Sequence, residues 1–340
     1  MLVGIHTGRY SLLTKYVQKY VDILKANDIK YVLLDSSSVN FWEELKRVDY
    51  FIFHYAHYDW DKQIAEAILP VIERLGIKCF PDQNTCWLFN DKVKEYYLLK
   101  SHGLPMTESW VFYDKLKALN WIKTCAYPVI FKLKSGAGST NVVLIKNIKD
   151  ARRIVKIMFT KGINPGKFRF KGAVFFKEFN IIKHTRVILN KIAKRIKSQP
   201  IDNFWGIEKG YVLFQKFLPN NDFDTRINVV GNRAFAHRRF NRDNDFRSSG
   251  NKEIDLDPNK INLDFVKMAF KVSKEMRFQS MAYDFLYDEN GNPSFCEISY
   301  TSSWNCIVPG YWDDKLKWHS GRYWLQYCEL VDLLNITLKK

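Results

Sequence analysis

The sequence predicts an α/β domain with a parallel sheet at the N-terminus, followed by two α+β lobes whose strands run mostly antiparallel. Over the first hundred residues, short apolar strands alternate with helical segments, which is typical of a parallel sheet covered by helices. Farther along the chain, hairpin signals replace this alternation. A chain of 340 residues is also too long for one small core and suits two or three lobes.

The N-terminal alternation consists of four apolar strands and the helices between them. The strands are predicted at 3–6, 31–34, 50–55 and 77–80, and the helices at 10–26, 41–47 and 61–75. Ligands of parallel sheets bind beyond the carboxyl ends of the strands, where this chain carries His6, His54 and His57. His54 and His57 form a His-x-x-His pair, which is a weak metal signal by itself, so we expect these two residues to contact substrate or to pack.

The later lobes begin with a helix at 91–101, which Gly103 and Pro105 terminate. The strands that follow are predicted at 129–134, 142–145, 211–217, 226–231, 233–238, 281–287 and 293–298, and the helices at 148–160, 181–197 and 261–276. We predict three units, namely an N-terminal domain at 1–88, a small lobe at 89–210 with a basic insertion at about 160–205, and a large lobe at 211–340 that ends in a helix.

Composition excludes several other classes of protein. Apolar residues make up 46% and charged residues 26%, which excludes disordered, collagen-like and coiled-coil chains. The six cysteines are scattered without a Cys-x-x-Cys pair, which argues against a zinc ribbon or a disulfide framework and fits reduced cytosol. The start MLVGIHTGRY does not resemble a signal peptide, and no apolar run approaches the roughly 20 residues of a membrane span. We therefore expect a cytoplasmic protein.

Lys132 ends an apolar strand and precedes a loop of glycine and serine at 135–140. A lysine in a buried strand is costly unless it meets an opposite charge. A loop with two glycines can turn backbone N–H groups onto an anion, as phosphate loops do. The alternative is a plain hairpin, because glycine and serine are common in turns.

Asp284 and Glu297 lie on the two strands of a predicted hairpin. The period of two along strands and the hairpin pairing place both carboxylates on one face. Two such charges repel each other unless a cation lies between them, and Mg²⁺ prefers carboxylate and phosphate oxygens. The alternative is a pair of solvated edge carboxylates.

Two arginines are candidates for neutralising a phosphoryl group. Arg226 belongs to an Asp-x-Arg sequence in a strand, and Arg247 lies in the loop at 244–250. Arginines near a phosphate site stabilise charge on the transferred oxygens. The alternative is that both are ordinary surface charges.

Together and in this order, these pieces resemble the ATP-grasp superfamily. Four stretches carry the resemblance. The family's Asp-Lys helix is similar to NDKVKEYYLLKSHGLP (90–105), and its lysine strand with the phosphate-covering loop is similar to YPVIFKLKSGAGSTNVVLI (127–145). The family's nucleotide hinge with Asp-x-Arg is similar to FQKFLPNNDFDTRINVV (214–230), and its metal-binding hairpin is similar to YDFLYDENGNPSFCEIS (283–299). The resemblance spans about residues 85–305 and favours the branch of ribosomal-protein glutamate ligases and glutathione synthetases. The stretches 53–60 and 309–323 resemble ATP-grasp proteins of surface-polysaccharide biosynthesis clusters.

The resemblance implies an ATP-grasp fold that uses ATP with Mg²⁺ or Mn²⁺. The residues that would hold ATP are Lys92, Lys132, the loop residues Ser135, Gly136, Gly138 and Ser139, the hinge residues Gln215, Lys216, Phe217 and Leu218, and Asp222 or Asp224 near the ribose. Asp284, Glu297 and Ser299 would bind the metal. Arg226 and Arg247 would face the transferred phosphoryl group or an acyl phosphate.

Two positions depart from the family pattern. Ser299 stands where the family hairpin usually has an asparagine ligand, which puts a second metal site in doubt. The hinge reads Gln215-Lys216 where the family often has a glutamate near the adenine, so the preference for one nucleotide is less secure.

The leading interpretation is a carboxylate–amine ligase that forms an amide through an acyl phosphate. The polysaccharide resemblance implies that it modifies a surface-polysaccharide sugar or its precursor with an amino acid or amine. One alternative is a phosphotransferase that acts on a hydroxyl. The second alternative is a non-catalytic basic binding module with a degenerate nucleotide site.

Residues 151–200 form a strongly basic segment. They carry 14 lysines and arginines and one acid, a net charge of +13, against +17 for the whole chain. Apolar residues recur at helical spacing over 181–197, which predicts an amphipathic helix that either covers the core or rests on an anionic membrane surface. Nucleic acid is a less favoured partner because no nucleic-acid motif accompanies the charge.

Overall fold

The structure is a computed structural model that describes residues 1–7, 13–54, 59–136, 141–167, 206–243, 245–249, 253–300 and 308–339. Within these ranges the chain forms a parallel four-stranded sheet, an antiparallel four-stranded sheet and a larger antiparallel sheet of seven strands. The predicted combination of an α/β domain with α+β lobes is therefore confirmed. The domain boundaries themselves stay predictions.

The N-terminal sheet has the strand order β2-β1-β3-β4, and all of its pairs are parallel. Its strands are β1 (Leu2–His6), β2 (Lys30–Leu34), β3 (Tyr50–Ile52) and β4 (Lys78–Phe80), and its helices are α1 (Lys15–Ala26), α2 (Phe41–Leu45) and α3 (Asp59–Arg74). Helix α1 starts at this point because the Thr14 side chain accepts the N–H of Val17. Its apolar face then packs in one core with β1.

The small antiparallel sheet has the order β5-β8-β6-β7. Its strands are β5 (Ser109–Phe112), β6 (Val129–Lys132), β7 (Val142–Ile145) and β8 (Val212–Lys216), and the helices of this part are α4 (Gln83–Cys86), α5 (Lys92–Ser101), α6 (Lys115–Trp121) and α7 (Ile148–Met158). Helices α6 and α7 share an apolar core with β6, β7 and β8. This arrangement places the C-terminal end of β6 next to the start of α5, because the N–H of Lys92 donates to the carbonyl oxygen of Lys134 at 2.9 Å.

The large sheet has the order β13-β12-β9-β10-β14-β15, with β11 paired to β10. Its strands are β9 (Phe223–Val230), β10 (Arg233–Phe240), β11 (Ile254–Asp255), β12 (Ser280–Tyr287), β13 (Pro293–Ser299), β14 (Val308–Asp313) and β15 (Trp318–Tyr323). Helices α8 (Leu263–Met276) and α9 (Leu325–Leu334) complete this part. Helix α9 returns to the N-terminal domain, where Leu330 and Leu334 pack in the core that contains β1. None of the described helices combines the length and apolarity that crossing a membrane requires.

Glu329 is a buried carboxyl group where α9, α1 and the large sheet meet. It accepts hydrogen bonds from the hydroxyls of Tyr16 at 3.0 Å and Tyr20 at 2.5 Å, both on α1. The hydroxyl of Ser280 on β12 donates to the same carboxyl at 3.1 Å. Burial raises the pKa of Glu329 to about 7, so the group takes up a proton in the folded chain at mildly acidic pH.

We expect this carboxyl to make stability depend on pH. Because the pKa of Glu329 is raised on folding, the folded chain keeps a proton that the unfolded chain has lost, and the free energy of unfolding falls as the pH rises from about 4.5 to about 7. Between pH 5 and pH 7 this group contributes a fall of about 2 kcal/mol. Glu329→Gln cannot ionise, so its denaturant unfolding curves at the two pH values should differ by about that much less. An identical pH dependence in both proteins would contradict this assignment.

Candidate active site

A cavity between the small and large sheets gathers four of the predicted site residues. Its wall includes Lys92 of α5, Lys132 of β6, Gln215 of β8 and Glu297 of β13. The same wall also carries the apolar side chains of Leu99, Met106 and Leu213. Convergent charges beside apolar walls are what a ligand with a charged end and a flat apolar end requires.

Lys92 is the first residue of α5, since Asp91 caps the helix by accepting two backbone N–H bonds. The Lys92 ammonium donates to the carbonyl oxygen of Gly136 at 3.1 Å and lies 3.2 Å from Oε1 of Glu297. Burial lowers the pKa of Lys92, but neighbouring carboxylates, Glu297 foremost, outweigh burial and raise the pKa above its usual value. Lys92 therefore stays charged and links the start of the 135–140 loop to β13.

Lys132 ends β6 and is 5% exposed. The described contact of its ammonium is the Sγ of Cys296 at 3.8 Å, and it forms no ion pair within 4.0 Å with any described carboxylate. Burying an ammonium group without a negative partner is costly. The position is therefore suited to an anion that enters the cavity.

Asp284 and Glu297 are directly opposite each other on β12 and β13, as the hairpin register predicts. Arg226 donates to both oxygens of Asp284, at 2.6 and 2.7 Å, and Arg239 donates to one of them at 2.8 Å. Burial tends to raise the pKa of Asp284, but the two guanidinium groups outweigh burial and hold it well below its usual range. Burial also opposes the ionisation of Glu297, yet Lys92 and Lys132 lower its pKa below the usual value.

Both oxygens of Asp284 are held by Arg226 and Arg239, so a hard divalent cation here would share Asp284 with these arginines and meet Glu297 beside it. No cluster of three or more His, Cys, Asp or Glu side chains that could hold a metal occurs among the described residues. A cation between Asp284 and Glu297 would therefore complete its shell with oxygens from outside the protein, as Mg²⁺ does with phosphate and water. Ser299 lies opposite Ala282, one same-face step along the ladder from the carboxylate pair, which is near enough for a water-mediated contact.

Sequence reasoning missed Arg239, which lies among these charges. Its guanidinium binds both oxygens of Asp224 at 2.6 Å and also contacts Asp284. The sequence could have indicated Arg239 through the register of the β9–β10 hairpin. The short turn between these strands pairs Asp224 with Arg239, and the period of two places both side chains on the same face as Arg226. Asp224, predicted near the ribose, is thus held within the charge cluster around Asp284.

Glu95 is a second residue that sequence reasoning missed. It lies one helical turn after Lys92, lines the cavity and accepts the backbone N–H of Ile298 at 3.2 Å. Burial, and then the negative charge of Glu297, raise the pKa of Glu95 to about 8, so it is protonated at neutral pH. Its spacing of three residues from Lys92 on α5 was the available signal.

The predicted hinge residues occupy different environments. The Gln215 amide donates to Oγ of Ser109 at 3.1 Å in the cavity wall. Lys216 instead pairs with Glu289 at 2.8 Å, Phe217 meets the ring of Phe246 edge-on, and Leu218 is buried. Asp222 is exposed. Gln215 is therefore the hinge side chain that the structure places at the cavity.

Arg247 is buried in the loop after β10. Its guanidinium contacts the carboxylate of Asp245, with Nε at 2.9 Å and Nη2 at 2.5 Å. This pairing fixes the plane of the guanidinium group. Several predicted features lie outside the described residues, namely Gly138, Ser139, His57 and the helix at 181–197.

Comparison with known proteins finds a similar family over part of the chain. Residues 161–307 match the family model of the RimK-like ATP-grasp domain. The match covers less than half of the chain and shows a stretch that is similar to the RimK-like ATP-grasp domain. This similarity agrees with the ATP-grasp resemblance that the sequence predicts.

Two curated relatives match shorter stretches of this chain. An uncharacterized MG012 homolog of Mycoplasma pneumoniae is 27% identical over 94 residues, which are 28% of this chain and 33% of the relative. The α-aminoadipate–LysW ligase LysX of Saccharolobus solfataricus is 26% identical over 78 residues, which are 23% of this chain and 28% of the relative. The matches thus span a third or less of these relatives.

Solved structures agree in fold over most of the chain. A RimK-domain ATP-grasp protein of Sphaerobacter thermophilus has a TM-score of 0.51 at 15% identity, covering 88% of this chain and 90% of its own. D-alanine–D-alanine ligase of Bacillus anthracis, solved with ATP, has a TM-score of 0.52 at 13% identity, covering 88% and 86%. These similarities establish the ATP-grasp fold.

Proposed function

We propose that this protein joins a carboxylate to an amine at the expense of ATP. The main observation behind the proposal is the cavity wall: two buried lysines, Lys92 and Lys132, line it together with Glu297, and Asp284 lies opposite Glu297 on the next strand. Lysines neutralise phosphate oxygens and the carboxylates suit Mg²⁺, which together are the parts that phosphoryl transfer requires. Two of the similar proteins, LysX and D-alanine–D-alanine ligase, are ligases by name.

In the proposed reaction, ATP with Mg²⁺ supplies an electrophilic phosphoryl group whose charge the metal offsets. The substrate carboxylate attacks the γ-phosphorus, the bond from that phosphorus to ADP breaks, and an acyl phosphate forms. The amine then attacks the acyl carbon, the bond from carbon to the phosphate oxygen breaks, and loss of a proton from nitrogen leaves the amide and free phosphate. Lys92 and Lys132 hold the phosphates, while Arg226 and Arg247 face the transferred group. Positioning and charge neutralisation carry such a reaction without a serine or cysteine nucleophile.

For the substrates, we propose a surface-polysaccharide sugar or its precursor together with an amino acid or amine. The support is the resemblance of 53–60 and 309–323 to ATP-grasp proteins of polysaccharide clusters. The second stretch forms most of the β14–β15 hairpin, whose half-buried aromatic side chains include Tyr311, Trp318 and Tyr323. Aromatic faces suit the apolar faces of sugar rings.

Product analysis tests the proposal. The protein is incubated with ATP, Mg²⁺, pooled amino acids and uronic-acid sugars, with a chelator in the control, and the products are separated by mass. We expect a new amide with ADP and free phosphate in equal amounts. A phosphorylated acceptor without an amide would instead indicate the phosphotransferase, and no ATP turnover with any substrate would favour the binding module.

We also propose that the protein is cytoplasmic and contacts an anionic membrane surface. The support is the net charge of +13 over 151–200, since each basic residue near such a surface contributes about 1 kcal/mol. We expect sedimentation with anionic liposomes at low salt, little sedimentation with neutral ones, and release by salt as charges are screened. Equal binding to both kinds of liposome, or none to either, would remove this part of the proposal.

A further inference from the structure

One buried carboxylate fixes the first residues of the phosphate-covering loop. Glu208 is 8% exposed and lies just before β8. Its backbone pairs with that of Ile163 through two hydrogen bonds of 2.8 and 2.9 Å. Ile163 and Glu208 therefore bring together the two chain segments that flank the basic insertion, and the Glu208 side chain is anchored by this bridge.

The Glu208 side chain reaches across to the chain that leaves β6. Oε1 accepts the backbone N–H of Ser135 at 3.2 Å, and Oε2 accepts that of Lys134 at 3.2 Å. The Lys134 N–H is shared with the hydroxyl oxygen of Tyr211, which accepts it at 2.7 Å. The Ser135 hydroxyl also donates to Oε1, and the Tyr211 hydroxyl donates to Oε2. Four donors thus converge on one carboxylate, which is the pattern of a strongly held buried anion.

Gly136 has a backbone conformation and contacts that differ from those of Lys134 and Ser135. Its φ of +114° is one that other residues rarely adopt, and a Cβ built there would lie 2.2 Å from the Asn141 amide nitrogen. The Gly136 N–H donates to Asn90 at 2.7 Å, and its carbonyl oxygen accepts from Lys92. Gly136 is therefore the first residue after the Glu208 anchor and the point where the loop meets the cavity lysine.

We propose that Glu208 is a positioning residue that sets where the phosphate-covering loop begins. By holding Lys134 and Ser135, it keeps Gly136 beside Lys92 and keeps the end of β6, with Lys132, in place for the phosphates. The predicted contact of Ser135 with ATP is replaced in this proposal by a supporting role, because its N–H and hydroxyl both bind Glu208. This inference rests on the proposed ATP-dependent function.

Glu208→Gln tests the anchor with little change in shape. One carboxylate oxygen becomes an NH₂ group, which cannot accept hydrogen bonds, so two of the four donors lose their acceptor. Without nucleotide, the amides of Lys134 and Ser135 should exchange hydrogen at least ~10-fold faster than in the natural chain. The KM for ATP should rise about 10-fold while kcat stays within about 3-fold, as expected when uniform binding is lost. Glu108→Gln, at an exposed carboxylate of the same lobe, should change neither quantity.

Tyr211→Phe is the second variant, because it keeps Glu208 and removes one hydroxyl, which donates to Glu208 and accepts the N–H of Lys134. Tyr211→Phe should raise the amide exchange rates and the KM for ATP, but by smaller factors than Glu208→Gln does. It also keeps the test informative if Glu208→Gln does not fold. Normal amide protection and a normal KM in active variants would overturn the inference, as would a loss of kcat at unchanged KM. Faster exchange in variants of a chain that never consumes ATP would support the anchor and refute the proposed function instead.

Discussion

Glu297→Gln should reduce Mg²⁺-dependent ATP turnover at least ~100-fold, since loss of a direct metal contact is worth several kcal/mol. The change keeps the side-chain volume and removes the charge that faces Asp284 across the hairpin. It also removes the carboxylate 3.2 Å from Lys92, but the ammonium remains to bind phosphate. The effect should therefore appear mainly as a loss of metal dependence, measured by titrating Mg²⁺ at saturating ATP.

A matched control separates this effect from a general loss of charge. Glu275 lies on α8, is 45% exposed at its side chain and is 3.9 Å from Lys271. Glu275→Gln makes the same chemical change, and its turnover should stay within about 2-fold because exposed ion pairs contribute little. Near-normal turnover in Glu297→Gln would exclude Glu297 as a metal ligand.

The sequence predicted most elements of the fold because their signals are local. The four N-terminal strands and the β12–β13 hairpin each combine an apolar run with helices or turn residues beside it. Strands β14 and β15 were missed for a physical reason. Pro309, Gly310 and Gly321 interrupt their alternation, and β14 gains its place by pairing with β10, some seventy residues earlier in the chain. A pairing between strands so far apart in the chain cannot be predicted from a short window of sequence.

The residues of the candidate site also fall into those with local sequence signals and those placed by long-range contacts. Lys92, Lys132, Asp284 and Glu297 lie within recognisable local patterns, and the structure brings them to one cavity or to the strand beside it. Arg239, Glu95 and Glu208 belong to the site through sheet register, helix spacing or a long-range contact. Glu208 is the extreme case, since it meets Ser135 across 73 positions of sequence. Motifs find the residues that meet a ligand, whereas the residues that hold them in place require the fold.

Arg247→Ala should lower kcat about 100-fold and leave the KM for ATP within about 3-fold. Arg247 is only 8% exposed, and Asp245 holds its guanidinium through Nε and Nη2, so the group is fixed before substrate arrives. A preorganised donor that meets charge developing in the transition state is typically worth ~100-fold to ~1,000-fold in rate. Because such a contact forms mainly in the transition state, its removal affects kcat rather than nucleotide binding. Initial rates over a range of ATP concentrations separate the two constants.

Asp245→Asn is the matched variant, because it keeps the arginine and weakens the pair that orients it. Its kcat should fall by an intermediate factor of about 10, since a neutral amide oxygen accepts a weaker hydrogen bond than a carboxylate does. Thermal unfolding of both variants shows whether the loop and its surroundings remain folded. A loss of ATP binding at normal kcat in Arg247→Ala would contradict the role, because the arginine would then serve the nucleotide and not the transferred phosphoryl group.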